Sequence, residues 1–227
     1  MLKISKFRLF RKRTLWLPTW RMVVVASLIG LLVTWWLLVS IHGFLAKEAP
    51  VEGARIVIVE GWLSDEGFER VRSNFEDSYD VVYTTGVAIG RGGFLAEYKS
   101  YAQVAEKSLE KLGLSEEKVI SVPSSGPENH RTYSCAVGLR ELLESEGLIG
   151  EGKPPLKMNL ISEGVHSRRS QMAFQKALGE MAEIGVFSIP PMGYDPKRWW
   201  KTGGSAKTVL TEIMAWGFEW LFDSGRD

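Results

Sequence analysis

Arg55-Ile56-Val57-Ile58-Val59-Glu60, running on through Gly61-Trp62-Leu63 to Ser64-Asp65-Glu66, is the stretch that sets the class of fold. A short β-branched run with no polar alternation suits a strand buried on both faces. Ser64 with Asp65 and Glu66 supplies the cap and acidic first turn of a helix. Strand followed by helix is half of a βαβ unit, and the same rhythm continues downstream. Tyr79–Thr85 reads as a second strand, and a Gly-rich loop from Gly86 to Gly93 leads to a helix through about Leu112, stopped by Gly113. Lys118–Val122 is a third strand, broken by Pro123, with a helix from about Asn129 to Glu146 after it. Beyond the loop 147–155 come strand Leu156–Ser162, helix Ser167–Leu178, strand Gly185–Ile189 and a last helix from about Ser205 to Phe222. The pattern predicts an α/β domain over 55–222, with a mainly parallel five-stranded sheet covered on both faces. In such sheets ligands bind beyond the carboxyl ends of the strands, at the topological switch point.

Ahead of this domain lies a different kind of sequence. Met22–Ile41, MVVVASLIGLLVTWWLLVSI, is free of charge. As a helix it spans about 30 Å, the thickness of bilayer hydrocarbon. Trp16, Trp20, Trp35 and Trp36 stand near its ends, where amphipathic rings anchor at an interface. Residues 1–21 hold seven basic side chains and no acidic one, so the remainder carries −6 of a net +1. The positive-inside rule therefore predicts a single-pass protein of the cytoplasmic membrane. It has a basic cytoplasmic tail (1–21), a transmembrane helix (22–41), a linker (42–54) and an extracytoplasmic body, with the lipid bilayer as a partner. A cleaved signal peptide is the rival, although Phe44-Leu45-Ala46 is a poor cleavage site. The acidic body argues against nucleic acid, which needs a basic stripe on the folded domain. A lone cysteine, Cys135, forms no internal disulfide framework and fits an exported or a cytosolic chain equally.

Three segments at the predicted strand ends carry chemistry. Ser162-Glu163-Gly164-Val165-His166-Ser167-Arg168-Arg169 follows a buried strand and opens a helix. Helix N–H groups, two guanidiniums and an imidazole there suit a phosphate or carboxylate; solvent-facing arginines and a structural histidine suit the segment as well. Thr84-Thr85-Gly86, with the glycines that follow, either brings backbone amides to an anion or is a plain loop. In Pro127-Glu128-Asn129-His130-Arg131-Thr132, Asn129 is a candidate helix cap, while the other polar side chains face the same sheet edge as His166. A cleft of Glu60, Glu128, Glu163, His130 and His166 could support acid–base work, with Glu60 and His166 the candidates for proton transfer. With three histidines and no H-E-x-x-H the chain offers no metal motif. Gly203 to Thr208 lacks phosphate-loop spacing, and no serine sits in a G-x-S-x-G elbow. Trp199-Trp200 is core packing or a ligand wall.

On Ile56–Gly61, Thr85-Gly86 with Glu97, Asn129 to Thr132, and His166-Ser167-Arg168-Arg169, the chain resembles the YdcF/SanA/ElyC-like family of bacterial envelope proteins. The resemblance covers roughly residues 54–222. The chain departs from the family pattern at Glu60-Gly61-Trp62, at Val87 in place of a second glycine, and where His130-Arg131 interrupts an Asn-Thr pair. The resemblance implies a Rossmann-like three-layer domain tied to cell-envelope and peptidoglycan maintenance, with no cofactor or reaction carried over. It strengthens the expectation of an anion site at His166, Arg168 and Arg169, with Thr85, Gly86, Glu97 and Thr132 as further ligand-binding residues. The expected ligand is a phosphorylated small molecule or lipid-linked precursor. A non-catalytic module for a nucleotide-like ligand such as S-adenosylmethionine is the alternative.

Overall fold

The computed structural model describes residues 17–75, 79–90, 93, 95–125 and 130–222. The basic tail up to Trp16 and the segment Gly126 to Asn129, with Glu128 and the cap candidate Asn129, lie outside them. Helix α1 (Trp20–Leu45) is followed by β1 (Ile56–Glu60), α2 (Asp65–Phe75), β2 (Val81–Val87), α3 (Tyr101–Lys111), β3 (Val119–Ser124) and α4 (Arg131–Ser145). Then come β4 (Leu156–Glu163), α5 (Ser167–Leu178), β5 (Ala182–Ile189) and α6 (Gly203–Phe222). All strand pairs are parallel, in the order β3-β2-β1-β4-β5. This is a Rossmann-like doubly wound sheet whose order reverses between β1 and β4, so the crevice should open beyond Glu60 and Glu163.

Alternation along the strands builds the two cores. Val57 and Val59 pack with Phe68 and Val71 of α2 and Ala105 and Leu109 of α3. Ile58 packs on the other face with Ala136 and Leu139 of α4 and Phe174 of α5. Successive side chains of a strand point to opposite faces, so Glu60 shares the α4/α5 face with Ile58. Thr85 shares it with Tyr83, and Ser162 with Leu160. Three polar side chains therefore lie side by side at the carboxyl edge of the central strands.

Several element ends differ from the sequence reading. β2 continues through Gly86 to Val87, and β3 continues through Pro123 to Ser124. Proline is tolerated there because β3 is an edge strand. α3 starts at Tyr101 rather than just after Gly93, because Ser100 and Gln103 form a capping box. α1 has a mean hydropathy of 2.5 and is long and apolar enough to be a membrane span or a signal sequence. Residues up to Leu38 form one compact unit, and those from Val39 onward form the other.

The segment expected as a free linker is part of the domain. Leu45 is fully buried, and Ala49 makes an antiparallel bridge to Val186 of β5. Val51 donates to Asn159 Oδ1 at 2.8 Å, and Asn159 Nδ2 donates back to the Val51 carbonyl at 3.2 Å. Gly185 makes room for this strap, since a Cβ there would lie 2.3 Å from the Val51 nitrogen.

Candidate functional site

Beyond the carboxyl ends of β1 and β2 lies a cleft of about 480 Å³. Its floor is Glu60, Thr85 and Gly86 from the strands. Arg131, Thr132 and Cys135 of α4 form one wall, and His166 and Arg169 form another, closed by Glu212 of α6 and by Trp62. Six of the residues singled out from sequence thus converge here: Glu60, Thr85, Gly86, Thr132, His166 and Arg169.

Two do not. Arg168 turns away: its Nε donates to the Phe44 carbonyl and its guanidinium lies 3.9 Å from the centroid of the Phe44 ring. Glu97 is exposed, precedes α3 and does not line the cleft. His130 lines a neighbouring groove instead, and Glu163 accepts a bond from the Met192 backbone N–H at 3.0 Å. Trp199 is buried, as core packing requires.

The centre of the site is a triad of Arg169, His166 and Glu212. Arg169 donates from Nε to Glu212 Oε2 at 2.9 Å and from Nη2 to Glu212 Oε1 at 3.2 Å. His166 Nδ1 lies 2.8 Å from Glu212 Oε2 and 3.0 Å from Arg169 Nη2. Burial pushes the Glu212 carboxyl up, but bonds from His166 and Arg169 outweigh it and hold it below its ordinary value. Burial works against the Arg169 charge too, and the Glu212 carboxylate overcomes it and raises the guanidinium's pKa. A carboxylate on Nδ1 leaves Nε2 as the imidazole nitrogen available to a ligand, the arrangement that prepares a histidine as a general base. The edge of the ring meets Trp62, with centroids 4.8 Å apart. Arg169 Nη1 makes no hydrogen bond among the described residues. Glu212 has no local sequence signal: it sits on the last helix, 43 residues from Arg169.

The floor is polar and incompletely satisfied. Glu60 is 4% exposed and accepts from Ser170 Oγ at 3.0 Å on Oε1. Glu60 Oε2, Thr85 Oγ1 and Ser162 Oγ are buried with no hydrogen-bond partner among the described residues. Burial, then the nearby Glu60 charge, push the Cys135 thiol up to about 12, so it is a protonated wall rather than a nucleophile. Gly86 and Gly61 serve close packing: a Cβ on either would lie 2.4 Å from the backbone of α3, at Ala102 N and Tyr101 O respectively.

Arg131 is the first residue of α4, exposed at the rim, in a first turn with no acidic residue. His130 precedes it without a side-chain cap bond. Arg131 and Thr132 of the first turn of α4 and Arg169 of α5 thus line the cleft together. A second groove of about 320 Å³ adjoins the cleft and shares Arg131, Thr132 and Arg169 with it. Tyr133, Met172, Ala173 and Trp220 give this groove an apolar part, beside the charged Lys176 and Glu219. Among the described residues no three of His, Cys, Asp and Glu are grouped to ligate a metal ion.

No known family model matches the chain, and no curated protein matches it. Among solved structures, the chain is similar to the HAD domain of the effector protein Lem4 from Legionella pneumophila, in an inactive mutant. The identity is 9% and the TM-score 0.29, over 74% of this chain and 98% of that one.

Proposed function

We propose that this protein is a membrane-anchored cell-envelope factor whose α/β domain, held outside the cytoplasmic membrane, binds a phosphorylated ligand in the cleft beyond β1 and β2. One observation carries the reading. Arg131, at the start of α4 where His130 makes no side-chain cap bond, and Arg169, whose Nη1 makes no hydrogen bond among the described residues, line the same polar cleft. Guanidiniums and helix N–H groups together are the standard chemistry for an anionic oxygen cluster. Glu212 does not use up this capacity: it holds Arg169 by Nε and Nη2, and Nη1 makes no hydrogen bond among the described residues.

The apolar part of the adjoining groove supports a ligand with a lipid-like extension, whose phosphate would sit where the two cavities share Arg131, Thr132 and Arg169. The basic tail, the uncharged 22–41 run and the flanking tryptophans support a single-pass anchor with a cytoplasmic N-terminus. The resemblance to the YdcF/SanA/ElyC-like proteins supports a role in peptidoglycan maintenance.

Calorimetric titration of the full chain in detergent with inorganic phosphate tests the site. The wild-type protein should bind and Arg131→Ala should bind at least tenfold more weakly with an unchanged melting temperature. Absence of phosphate binding by the wild type overturns the proposal. For the anchor, intact cells should shield the N-terminus from added protease while the body is cut once the outer layers are permeabilised. A body that stays protected there overturns the topology.

A further inference from the structure

Beside the anion site the cleft has a second chemistry that a phosphate alone leaves unused. Glu60, Thr85 and Ser162 come from three adjacent strands at nearly the same height: Glu60 pairs in register with Thr85, and Ser162 follows Ile161, the partner of Val59. Each is at most 4% exposed, and each keeps one oxygen without a partner among the described residues. Leaving a buried polar group unpaired costs about 1–3 kcal/mol, more when it is charged. Glu60 and Thr85 line the cleft, so their two oxygens are hydrogen-bonding capacity waiting for a partner there, with Ser162 beside them in the sheet.

The chemistry of that partner is constrained. A carboxylate only accepts, so the group facing Glu60 Oε2 must donate. The Thr85 hydroxyl both donates and accepts, so a group that does the same is the best match for it. An ammonium meets the first demand but only donates, so it leaves the Thr85 hydroxyl without an acceptor. A hydroxyl meets both demands without a charge, and a vicinal pair can reach the Glu60 and Thr85 oxygens at the spacing of neighbouring strands, about 4.8 Å.

We infer that the ligand is a polyhydroxylated phosphate ester, a glycosyl phosphate in chemical class, whose hydroxyls donate to Glu60 and Thr85 while its phosphate lies against Arg131 and Arg169. The cleft volume of about 480 Å³ falls within the range of about 300–1,000 Å³ usual for small-molecule sites. This rests on the phosphate-site reading and adds the identity of the esterifying group.

The test compares glucose 1-phosphate, inorganic phosphate and phosphoethanolamine by calorimetry on the full chain in detergent. Wild-type protein should bind glucose 1-phosphate at least tenfold more tightly than inorganic phosphate, and phosphoethanolamine no better than inorganic phosphate. Glu60→Gln and Thr85→Val should each bring the glucose 1-phosphate affinity at least threefold closer to that of inorganic phosphate. Neither should weaken inorganic phosphate itself, since removing the Glu60 charge removes a repulsion; retained phosphate binding also shows that each variant is folded. Equal affinities in the wild type, tighter binding of phosphoethanolamine, or a preference untouched by both substitutions overturns the hydroxyl assignment and leaves the phosphate site standing. No binding of inorganic phosphate or glucose 1-phosphate by the wild type removes both.

Discussion

Arg168 and Arg169 are one residue apart on a helix, so their side chains leave the axis about 100° apart and cannot serve one cleft equally. Arg169 points in and Arg168 packs on Phe44. Arg168→Ala should therefore leave phosphate affinity within twofold of wild type, whereas Arg131→Ala weakens it at least tenfold; equal losses in a parallel titration would put the anion elsewhere. Glu212 has the opposite history, invisible in its own stretch of sequence and central in the fold. Its folded carboxyl lies below the ordinary value of about 4.5, so its stabilisation is complete above that pH and fades as the pH falls toward the folded value. Glu212→Gln leaves Arg169 buried without its counter-charge and should cost about 3 kcal/mol at pH 7. As the pH falls from 4.5 toward the folded value the gap to wild type should narrow, and it should close once the folded carboxyl is protonated too. Denaturation curves from pH 7 to 3 that stay parallel would show that the pair contributes nothing. Cys135, buried with its thiol pushed up to about 12, should resist alkylation at pH 8 until the domain unfolds; rapid labelling of the native protein would contradict its burial.

At the scale of elements, the start of α3 decides the shape of the cleft floor. Ser100 accepts from the Gln103 N–H and Gln103 reaches back to the Ser100 N–H, so the helix cannot begin at Gly93 and extend past Glu97. Its first residues rest against Gly61 and Gly86 with no room for a Cβ. Gly86→Ala should push Ala102 and Tyr101 off the strands and cost about 3 kcal/mol, measured by urea denaturation. Ser100→Ala should cost about 1 kcal/mol by loss of the cap. A Gly86→Ala penalty below that of Ser100→Ala would mean that the helix start yields freely. The five strands were legible because buried parallel strands are uninterrupted apolar runs, as in Ile56–Val59. The capping box was present as Ser100-x-x-Gln103, but Gly93 drew the helix start to the residue after it instead of Tyr101. Pro123 looked like a strand end because its position at the sheet edge is a tertiary fact. The polar floor was half legible: Glu60 and Thr85 follow from strand ends and the switch-point rule. Its closure by Glu212 and Trp62 depends on how α6 and the turn after β1 dock, which no local pattern encodes.

For the whole molecule, the boundary between anchor and domain lies earlier than composition suggests. The apolar helix ends at Leu45, yet the domain begins at Val39. Residues 39–53 contribute a fully buried Leu45, a bridge with Ala49 N and Val186 N donating at 2.8 and 3.0 Å, and the Val51 N–H and carbonyl that both bond to Asn159. Phe44 also meets Trp216 of α6 edge-on, with centroids 4.9 Å apart, and His42 Nε2 lies 3.2 Å from the Tyr194 hydroxyl. Removing the strap exposes about 2–3 kcal/mol of apolar burial at Leu45 alone. It also strips two hydrogen bonds from β5, an edge strand that then invites pairing with other chains. Asn159, 3% exposed, keeps only its bond to the Tyr79 hydroxyl and loses both to Val51, at a further cost of about 1–3 kcal/mol. The total is a large share of the roughly 5–15 kcal/mol that holds a domain together. A fragment of residues 39–227 should therefore unfold cooperatively in urea, while one of residues 54–227 should aggregate or melt without a cooperative transition. Equal midpoints for the two fragments would show that the strap is dispensable and that the domain begins, as its sequence first suggests, at Arg55.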